Sequence, residues 1–480
     1  MPRRKKQETE IREWKRECGW PRVKAGERRR IDTYCRRYID FISAAKTERE
    51  AFAVARQKAE AAGWRDLESI PDQASALKPG DRVYRTWHGK SIMLMHIGSR
   101  PLRDGLHIVG GHIDAPRLDG KPNPLYEDGE LAWLDTQYYG GIKKYHWVAM
   151  PLALHGVVVL KSGETINIAI GEKTGDPVFC VTDLMPHLGR EQAKKTMAEG
   201  IPGENLNLIL GSMPVTDGDA RSRVRRNILR ILHEQYKITD DDFASAELEA
   251  VPAGPARDCG LDRSMIIGYA QDDRVCAYAC LAALLDLKET PEHTAVALLC
   301  DKEEIGSVGA TGMESNFVEN TIAELVSRTE KTYSDLTVRR CLERSRMLSA
   351  DVHSVHDPNY SDVSAPNNMA QINAGVVVAK YGGGRGKSHS SDARAEFMAV
   401  VRRVFDQAGV LWQTAEMGKV DQGGGGTIAM FLARHGMDVV DCGPGLLSMH
   451  APWEVAGKLD VYMAFKGYRA FLSHSRHEHE

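Results

Sequence analysis

The chain has 480 residues, and its 63 lysines and arginines against 66 aspartates and glutamates give a formal net charge of −3. This length predicts two to four structural units, because domains usually contain about 100–200 residues. The balanced charge argues against a dedicated nucleic-acid-binding protein, and no apolar run reaches the roughly 18 residues of a membrane-spanning helix. The nine dispersed cysteines are typical of reduced thiols in the cytoplasm, not of a disulfide framework.

The N-terminal segment, residues 1–30, is highly charged and lacks the apolar stretch of a secretory signal, so we expect a solvated or subunit-contacting arm. Apolar residues at helical spacing predict a helix over 31–63. Two strands are predicted between residues 82 and 97. A short apolar strand over 105–111 then runs directly into His112.

The middle of the chain is dominated by extended segments, at 147–160, 165–170 and 206–210, with one clear helix near 224–234. Helices and strands then alternate again. The segment 294–300 is fully apolar, which is typical of a central strand in a parallel sheet. Helices are also predicted over 273–287, 317–326, 393–408, 427–434 and 454–473, with strands over 375–378 and 438–441. The pattern predicts one α/β catalytic domain, formed by residues 1–117 and 256–480, interrupted by a strand-rich insertion at 118–255.

Five segments of the predicted catalytic domain place an acidic residue or a histidine at a strand end or a helix start. Ligands collect beyond the carboxyl ends of strands in open α/β sheets. Any one of these residues has an ordinary structural explanation, such as a helix N-cap. Together, two histidines and several carboxylates predict a site for two divalent ions such as zinc. The segments contain His112 and Asp114, Asp272 and Asp273, Glu303 and Glu304, Asp351, and His450.

The chemistry of such a site assigns a part to each residue type. Two metal ions about 3.5–4 Å apart polarise a carbonyl group and generate hydroxide near neutral pH. One carboxylate must bridge them, and Asp272 at a helix start suits that position. Glu303 is placed to accept the proton of the attacking water, and Asp114 can hold the far nitrogen of the His112 imidazole. The other expected ligands are His112, Glu304, Asp351 and His450.

Seven motifs in this order resemble those of the aspartyl aminopeptidase / aminopeptidase I family of dinuclear zinc metalloproteases, as found in a bacterial-type member. They read GGHIDAP, AQDDRV, DKEEIGSVGATG, SADVHSVHDPNY, VVVAKYGG, GKVDQGGGGTIA and DCGPGLLSMHAPWE. The resemblance runs from about residue 80 to 470 and implies a three-layer α/β/α phosphorylase/hydrolase-like sandwich with an inserted β-rich dimerisation domain. Relatives assemble from dimers into a tetrahedral dodecamer, so the resemblance also implies a homo-oligomer.

The resemblance implies the same five metal ligands, with Asp272 bridging and Glu303 as the general base. Lys380 occupies the place of a family lysine that contacts an acidic substrate side chain. In this family a histidine from the insertion of a neighbouring subunit reaches the active site, and His187 is the candidate here. An ordinary loop histidine is an equally good interpretation of His187.

We therefore expect a cytoplasmic metallo-aminopeptidase that hydrolyses N-terminal residues of peptides, with acidic residues favoured. It would hold two divalent ions per subunit: zinc, with cobalt or manganese as alternatives. A carboxypeptidase or amidohydrolase on the same dinuclear scaffold stays open, because related enzymes reuse this ligand set. A non-catalytic shell protein also stays open, and it should lack some of the ligands.

Three further features receive structural interpretations. Gly423–Gly426 lacks the Lys-Ser/Thr pair of a phosphate-binding loop, so we expect a close backbone approach beside the metal site. We expect Tyr138–Gly141 to be a turn and packing element of the insertion. For Asp273, a salt bridge to Arg274 or another neighbouring base is expected in preference to metal binding.

Overall fold

The computed structural model describes residues 16–216 and 221–475. The first fifteen residues of the predicted N-terminal arm lie outside the described residues. The rest of that arm packs on the catalytic domain, because the Gly19 N–H donates to the Asn373 carbonyl at 2.6 Å. Among the described residues, no helix combines the length and apolar character that crossing a bilayer requires.

The part of the chain before the insertion contains two helices where one was predicted over 31–63. The second helix begins separately because Thr47 forms a capping box, in which its side chain accepts the Glu50 N–H. The elements are α1 (Ala25–Ala44), α2 (Glu48–Ala61), β1 (Arg65–Asp66), β2 (Arg82–Trp87), β3 (Ser91–His96) and β4 (His107–His112).

The middle of the chain forms a six-stranded antiparallel sheet of its own, in the order β8-β7-β10-β5-β6-β9. Its core is a separate cluster of buried side chains that includes Trp147 and Leu154. The boundaries of the insertion and its dimerising role stay predictions. The elements are β5 (Arg117–Asp128), β6 (Leu131–Tyr139), β7 (Leu152–Val159), β8 (Thr165–Ile170), α3 (Met197–Gly200), β9 (Leu208–Gly211), α4 (Arg223–Tyr236) and β10 (Ala246–Pro252).

The remainder of the chain resumes the alternation of helices and strands. The helix predicted over 454–473 is shorter, because its first residues pair as a strand with the distant segment 265–268. The elements are β11 (Arg257–Cys259), β12 (Met265–Gly268), α5 (Gln271–Leu285), β13 (Ala295–Cys300), α6 (Phe317–Thr329), α7 (Asp335–Arg344), β14 (Arg346–Ser349), β15 (His353–Ser354), β16 (Val376–Ala379), α8 (Ala395–Ala408), β17 (Trp412–Thr414), α9 (Ala429–Ala433), β18 (Asp438–Gly443), β19 (Gly445–Leu447), β20 (Glu454–Gly457) and α10 (Lys458–Leu472).

A nine-stranded sheet, in the order β1-β2-β3-β13-β4-β14-β18-β16-β17, is covered by helices on both faces. Successive strand residues point to opposite faces, so Ile92 and Leu94 join the core beneath α1, α2, α5, α8 and α10. Met93 and Met95 join the core beneath α6, α7 and α9. The predicted three-layer α/β/α sandwich is confirmed.

The register of the central strands brings the chemistry to one edge of this sheet. Strands β13, β4, β14 and β18 are parallel, and Cys300 at the end of β13 pairs with His112 at the end of β4. The chain leaves these strands at the same edge, where Glu303 and Asp351 follow β13 and β14 within a few residues. A five-stranded sheet, β11-β12-β20-β19-β15, carries His450 in the turn between β19 and β20.

Candidate active site

Three of the predicted ligands form a compact group at the end of β4. His112 is only 2% exposed, and its Nε2 lies 3.3 Å from Oδ1 of Asp272. One ligand atom from each of His112, Asp272 and Asp351 lies within 4.8 Å of the other two. Imidazole nitrogen and carboxylate oxygen are donors that zinc accepts, so this group could hold one ion.

A second group shares Asp272 with the first. The other oxygen of Asp272, Oδ2, lies 3.2 Å from Nε2 of His450, and Oε2 of Glu304 lies 3.7 Å from the same nitrogen. Ligand atoms of Asp272, Glu304 and His450 also lie within 4.8 Å of one another. The two oxygens of Asp272 therefore face two different histidines, which is the arrangement of a bridging carboxylate.

The electrostatics of both groups fit a pair of cations. Burial raises the pKa of Glu304 and of Asp351 well above the ordinary range. Burial acts in the same direction on Asp272, but hydrogen bonds with His112 and His450 outweigh it and lower the pKa of this carboxyl. In addition, Oε1 of Glu304 is buried and has no hydrogen-bond partner among the described residues, although buried acceptors are normally satisfied. A cation beside Glu304 would supply that missing partner.

Glu303 lies beside the first group without belonging to it. Its Oε2 is 3.8 Å from Nε2 of His112, and its side chain is partly exposed. Burial raises the pKa of Glu303 to about 7. A carboxyl group with such a pKa is suited to accepting and returning a proton near neutral pH.

The carboxylate of Asp114 is completely buried and holds four groups in place. Its Oδ1 lies 3.2 Å from Nδ1 of His112 and accepts the Glu303 N–H at 3.2 Å. Its Oδ2 accepts the Glu304 N–H at 3.1 Å and the Tyr139 hydroxyl at 2.8 Å. Asp114 thus orients a histidine and fixes the backbone of both glutamates.

The prediction of a salt bridge between Asp273 and Arg274 is wrong. Oδ2 of Asp273 accepts the N–H of His112 at 3.2 Å, whereas the Arg274 guanidinium donates to the carbonyls of Ile113, Ala45 and Lys46. The backbone of Asp273 is not helical, and its carboxylate lies at the end of β4 against the His112 N–H, away from the carbonyls that hold the Arg274 guanidinium. The contact also requires a glycine at 111, where a Cβ would lie 2.4 Å from Asp273 Oδ2.

A groove of about 960 Å³ opens over both ligand groups. Its walls include Lys143, Tyr145 and His146 of the predicted insertion and the glycines 424–426. The backbone does approach closely there, since a Cβ at Gly424 would lie 1.9 Å from the carbonyl oxygen of Gly383. A smaller adjoining cavity of about 260 Å³ is lined by the loops at 381–387 and 416–420.

Neither Lys380 nor His187 lines the groove of this chain. Lys380 is exposed just after β16, and its neighbours Ala379 and Tyr381 line the adjoining cavity. His187 is exposed in a turn of the insertion. Their roles toward substrate stay predictions.

Two supports of the site, Glu454 and the segment 139–141, were missed at the sequence level. Glu454, only 1% exposed, accepts the N–H of His450 at 2.8 Å and the N–H of Asp272 at 3.0 Å. Its position four residues after His450, within the same motif, was the available signal. The packing interpretation of Tyr138–Gly141 is incomplete, because the Tyr139 hydroxyl contacts Asp114 and the Gly141 carbonyl accepts from Nδ1 of His450 at 2.8 Å.

Known proteins are similar to this chain over nearly its whole length. The model of the aminopeptidase I zinc metalloprotease family (M18) matches residues 41–472. A probable M18 family aminopeptidase 1 of Clostridium acetobutylicum is 51% identical over 437 residues, covering 91% of this chain and 94% of that protein. The crystal structure of an M18 aminopeptidase from Thermotoga maritima is 42% identical with a TM-score of 0.91, covering 96% of this chain and 100% of that one.

A more distant structure, of the S. cerevisiae mApe1 dodecamer, is 21% identical with a TM-score of 0.75 and covers 93% of this chain and 97% of that one. At this identity it shows the fold alone. The match to the family model and the identity to bacterial relatives extend over nearly the whole chain. The chain belongs to the aminopeptidase I zinc metalloprotease family (M18), and the expected function, a metallo-aminopeptidase, is confirmed.

Proposed function

We propose that this metallo-aminopeptidase works with two metal ions, one held by His112, Asp272 and Asp351 and the other by Asp272, Glu304 and His450. The observation that carries this assignment is the sharing of Asp272, whose two oxygens face two histidines at 3.3 and 3.2 Å. When bound, two such ions polarise the scissile carbonyl and lower the pKa of the attacking water.

Side chains of the protein transfer the proton of the attacking water and orient the metal ligands. Glu303 accepts the proton of the attacking water and returns it to the leaving amine, which its position and its raised pKa support. Asp114 keeps the proton of His112 on Nδ1, so that Nε2 presents its lone pair to the site. Glu454 holds the backbone of Asp272 and His450 at a fixed separation.

The experiment is a turnover panel of zinc-loaded enzyme on peptides with a free amino terminus and on the same peptides with the amine blocked. We expect cleavage of the free peptides only, with release of the first residue. Cleavage of the blocked peptides alone would contradict an aminopeptidase.

An acidic first residue is the favoured substrate in this proposal, with Lys380 as its partner. Burying a substrate carboxylate requires a charged or hydrogen-bonding partner. Lys380→Met should lower kcat/KM for acidic substrates about 10-fold or more, with neutral substrates as the internal control. Equal losses on both substrate types would contradict this role.

We also propose that the chain forms a homo-oligomer, in which dimers assemble into a tetrahedral dodecamer. Exposed apolar side chains of the insertion support a contact there: Val178, Leu184, Met185, Leu188, Met197 and Met213, each at least 47% exposed. Leu188→Asp should reduce the assembly measured by light scattering. An unchanged mass would count against this contact.

His187 lies among these apolar residues, so it would lie at the dimer contact and could reach the neighbouring site. His187→Ala should lower turnover without changing the assembly, whereas His233→Ala, an exposed histidine elsewhere in the insertion, should not. Equal activity of both variants would make His187 an ordinary loop residue. A cytoplasmic location completes the proposal and is supported by the dispersed cysteines.

A further inference from the structure

The segment Tyr139–Gly141 leaves the end of strand β6 in the insertion and runs past both ligand groups. The Tyr139 hydroxyl donates to Oδ2 of Asp114 at 2.8 Å. The other oxygen of Asp114 lies 3.2 Å from Nδ1 of His112. Because this nitrogen also faces the carbonyl of Asp114 at 3.1 Å, both of its neighbours are acceptors and Nδ1 must carry the proton. Tyr139 therefore fixes the carboxylate that sets the tautomer of His112.

Gly141 acts on the second histidine directly. Its carbonyl oxygen lies 2.8 Å from Nδ1 of His450. A carbonyl can only accept, so Nδ1 donates, and Nε2, 3.2 Å from Oδ2 of Asp272, is the nitrogen left to bind a metal ion. One short segment thus determines which nitrogen of each histidine is available to a metal ion. It acts on His112 through Asp114 and on His450 directly.

The residue types of this segment follow from its position. A Cβ on Gly140 would lie 3.3 Å from Oε2 of Glu304, and a Cβ on Gly141 would lie 3.3 Å from Nδ1 of His450. Both distances are tighter than ordinary van der Waals contact, so larger residues would press on the ligands. The tyrosine supplies the only side-chain hydroxyl that bonds to Asp114 in the described part of the chain.

A buried ionic cluster anchors the segment at the junction between the insertion and the catalytic domain. The Arg117 guanidinium lies 3.9 Å from the centre of the Tyr139 ring. Arg117 also contacts Glu249 of β10 at 3.1 Å and Glu48 of α2 at 3.3 Å. The ring of Tyr139 is therefore held by charges that belong to both parts of the molecule.

We propose that Tyr139–Gly141 is a positioning segment for both metal-binding histidines, so that the insertion determines how tightly the catalytic domain holds its ions. The inference rests on the proposed metal-binding roles of His112 and His450. Tyr139 and Gly141 touch neither substrate nor ion in this scheme, and they act through Asp114 and His450. Removing partners of this kind typically weakens metal binding about 10- to 100-fold.

The test is zinc affinity of the full-length protein, measured by competition with a chromophoric chelator. Tyr139→Phe removes the hydroxyl bound to Asp114, and Gly141→Ala keeps its carbonyl but places a Cβ 3.3 Å from Nδ1 of His450. Each variant should weaken at least one zinc-binding step about 10- to 100-fold, and excess zinc should restore turnover. Tyr138→Phe is the control for the tyrosine, since Tyr138 is exposed on the same strand. Gly200→Ala is the control for the glycine, since a Cβ there meets no atom within 4 Å. Both controls should stay within about twofold of the wild-type affinity.

Three outcomes separate this inference from the proposed function. If the wild-type protein binds two zinc ions and both variants bind them with unchanged affinity, the positioning role is wrong and the metal assignment stands. If the variants only lower the urea midpoint of the metal-free protein, the segment has a merely structural role and the inference also fails. If the wild-type protein binds no zinc, the metal assignment itself fails, and this inference fails with it.

Discussion

The adjacent residues Glu303 and Glu304 should respond to the same substitution in different ways. Glu303 lies outside both ligand groups, with Oε2 3.8 Å from Nε2 of His112, whereas Glu304 belongs to the group with Asp272 and His450. Glutamine preserves the size of each side chain but cannot accept a proton. Both backbone N–H groups stay bound to Asp114, so the substitutions should leave the local backbone unchanged.

The magnitudes follow from these positions. A positioned general base contributes about 10²- to 10⁴-fold to turnover, so Glu303→Gln should raise the barrier by about 3–5 kcal/mol. Zinc affinity should change by less than about tenfold, because no predicted ligand is removed. Glu304→Gln replaces a charged ligand with a neutral one, so it should weaken zinc binding by at least about 10- to 100-fold, and part of its activity should return with added zinc.

The assay combines kcat on an unblocked peptide at saturating zinc with elemental analysis of the purified protein. Glu303→Gln should hold as much zinc as the wild type and turn over at least about 100-fold more slowly. Near-normal turnover of Glu303→Gln would refute its assignment as the base. Loss of zinc from Glu303→Gln together with full zinc retention by Glu304→Gln would reverse the two roles.

Three further substitutions test the bridging ligand, its buried support and a histidine of β7 held by two glutamates. Asp272→Ala should lose zinc from both groups along with activity, and retention of two ions by elemental analysis would exclude a bridging role. The carboxylate of Glu454 accepts two N–H groups, one on each oxygen, whereas the glutamine of Glu454→Gln has only one acceptor oxygen. A buried donor left without a partner costs about 1–3 kcal/mol. Zinc affinity, measured by chelator competition, should therefore fall about tenfold or more. Burial lowers the pKa of His155, but hydrogen bonds to its two glutamate partners outweigh this and raise it. Its stabilising contribution is therefore complete below its ordinary pKa of about 6.5 and is lost as pH rises through the raised folded value. Urea midpoints should accordingly fall more steeply with pH in the wild type than in His155→Gln, and parallel curves would contradict this.

The alternation of helices and strands could be predicted because its signals are local, whereas the three-layer arrangement was implied by the family resemblance. The apolar run at 294–300 predicts a buried strand, and β13 spans Ala295–Cys300 beside the central strand β4 of the nine-stranded sheet. The helix predicted over 454–473 was partly wrong because the first residues of that segment pair with β12, nearly 190 residues earlier. Strand pairing of this kind depends on a partner that helical periodicity does not reveal.

The metal-binding residues of the site could also be predicted from the sequence, whereas the groups that orient them could not, and the reason is chemical. Only a few side chains bind zinc, so histidines and carboxylates at strand ends are conspicuous in a sequence, and the structure brings His112, Asp272, Glu304, Asp351 and His450 together. The groups that orient those ligands need only one hydrogen-bonding atom, which any backbone amide, carbonyl or hydroxyl can supply. The Gly141 carbonyl cannot be recognised from the sequence, because every residue type has a backbone carbonyl.

This difference explains why the insertion could be seen as a separate unit while its contact with the metal site could not. The ligand residues lie before and after it in the sequence, so the sequence assigns the chemistry to the catalytic domain alone. However, the bonds from Tyr139 and Gly141 place insertion atoms next to Asp114 and His450. In the positioning scheme proposed above, an ion held by the catalytic domain would depend on these two hydrogen bonds from the predicted insertion. If that dependence holds, changes at the Arg117 cluster that loosen the docking should weaken zinc binding without altering any ligand.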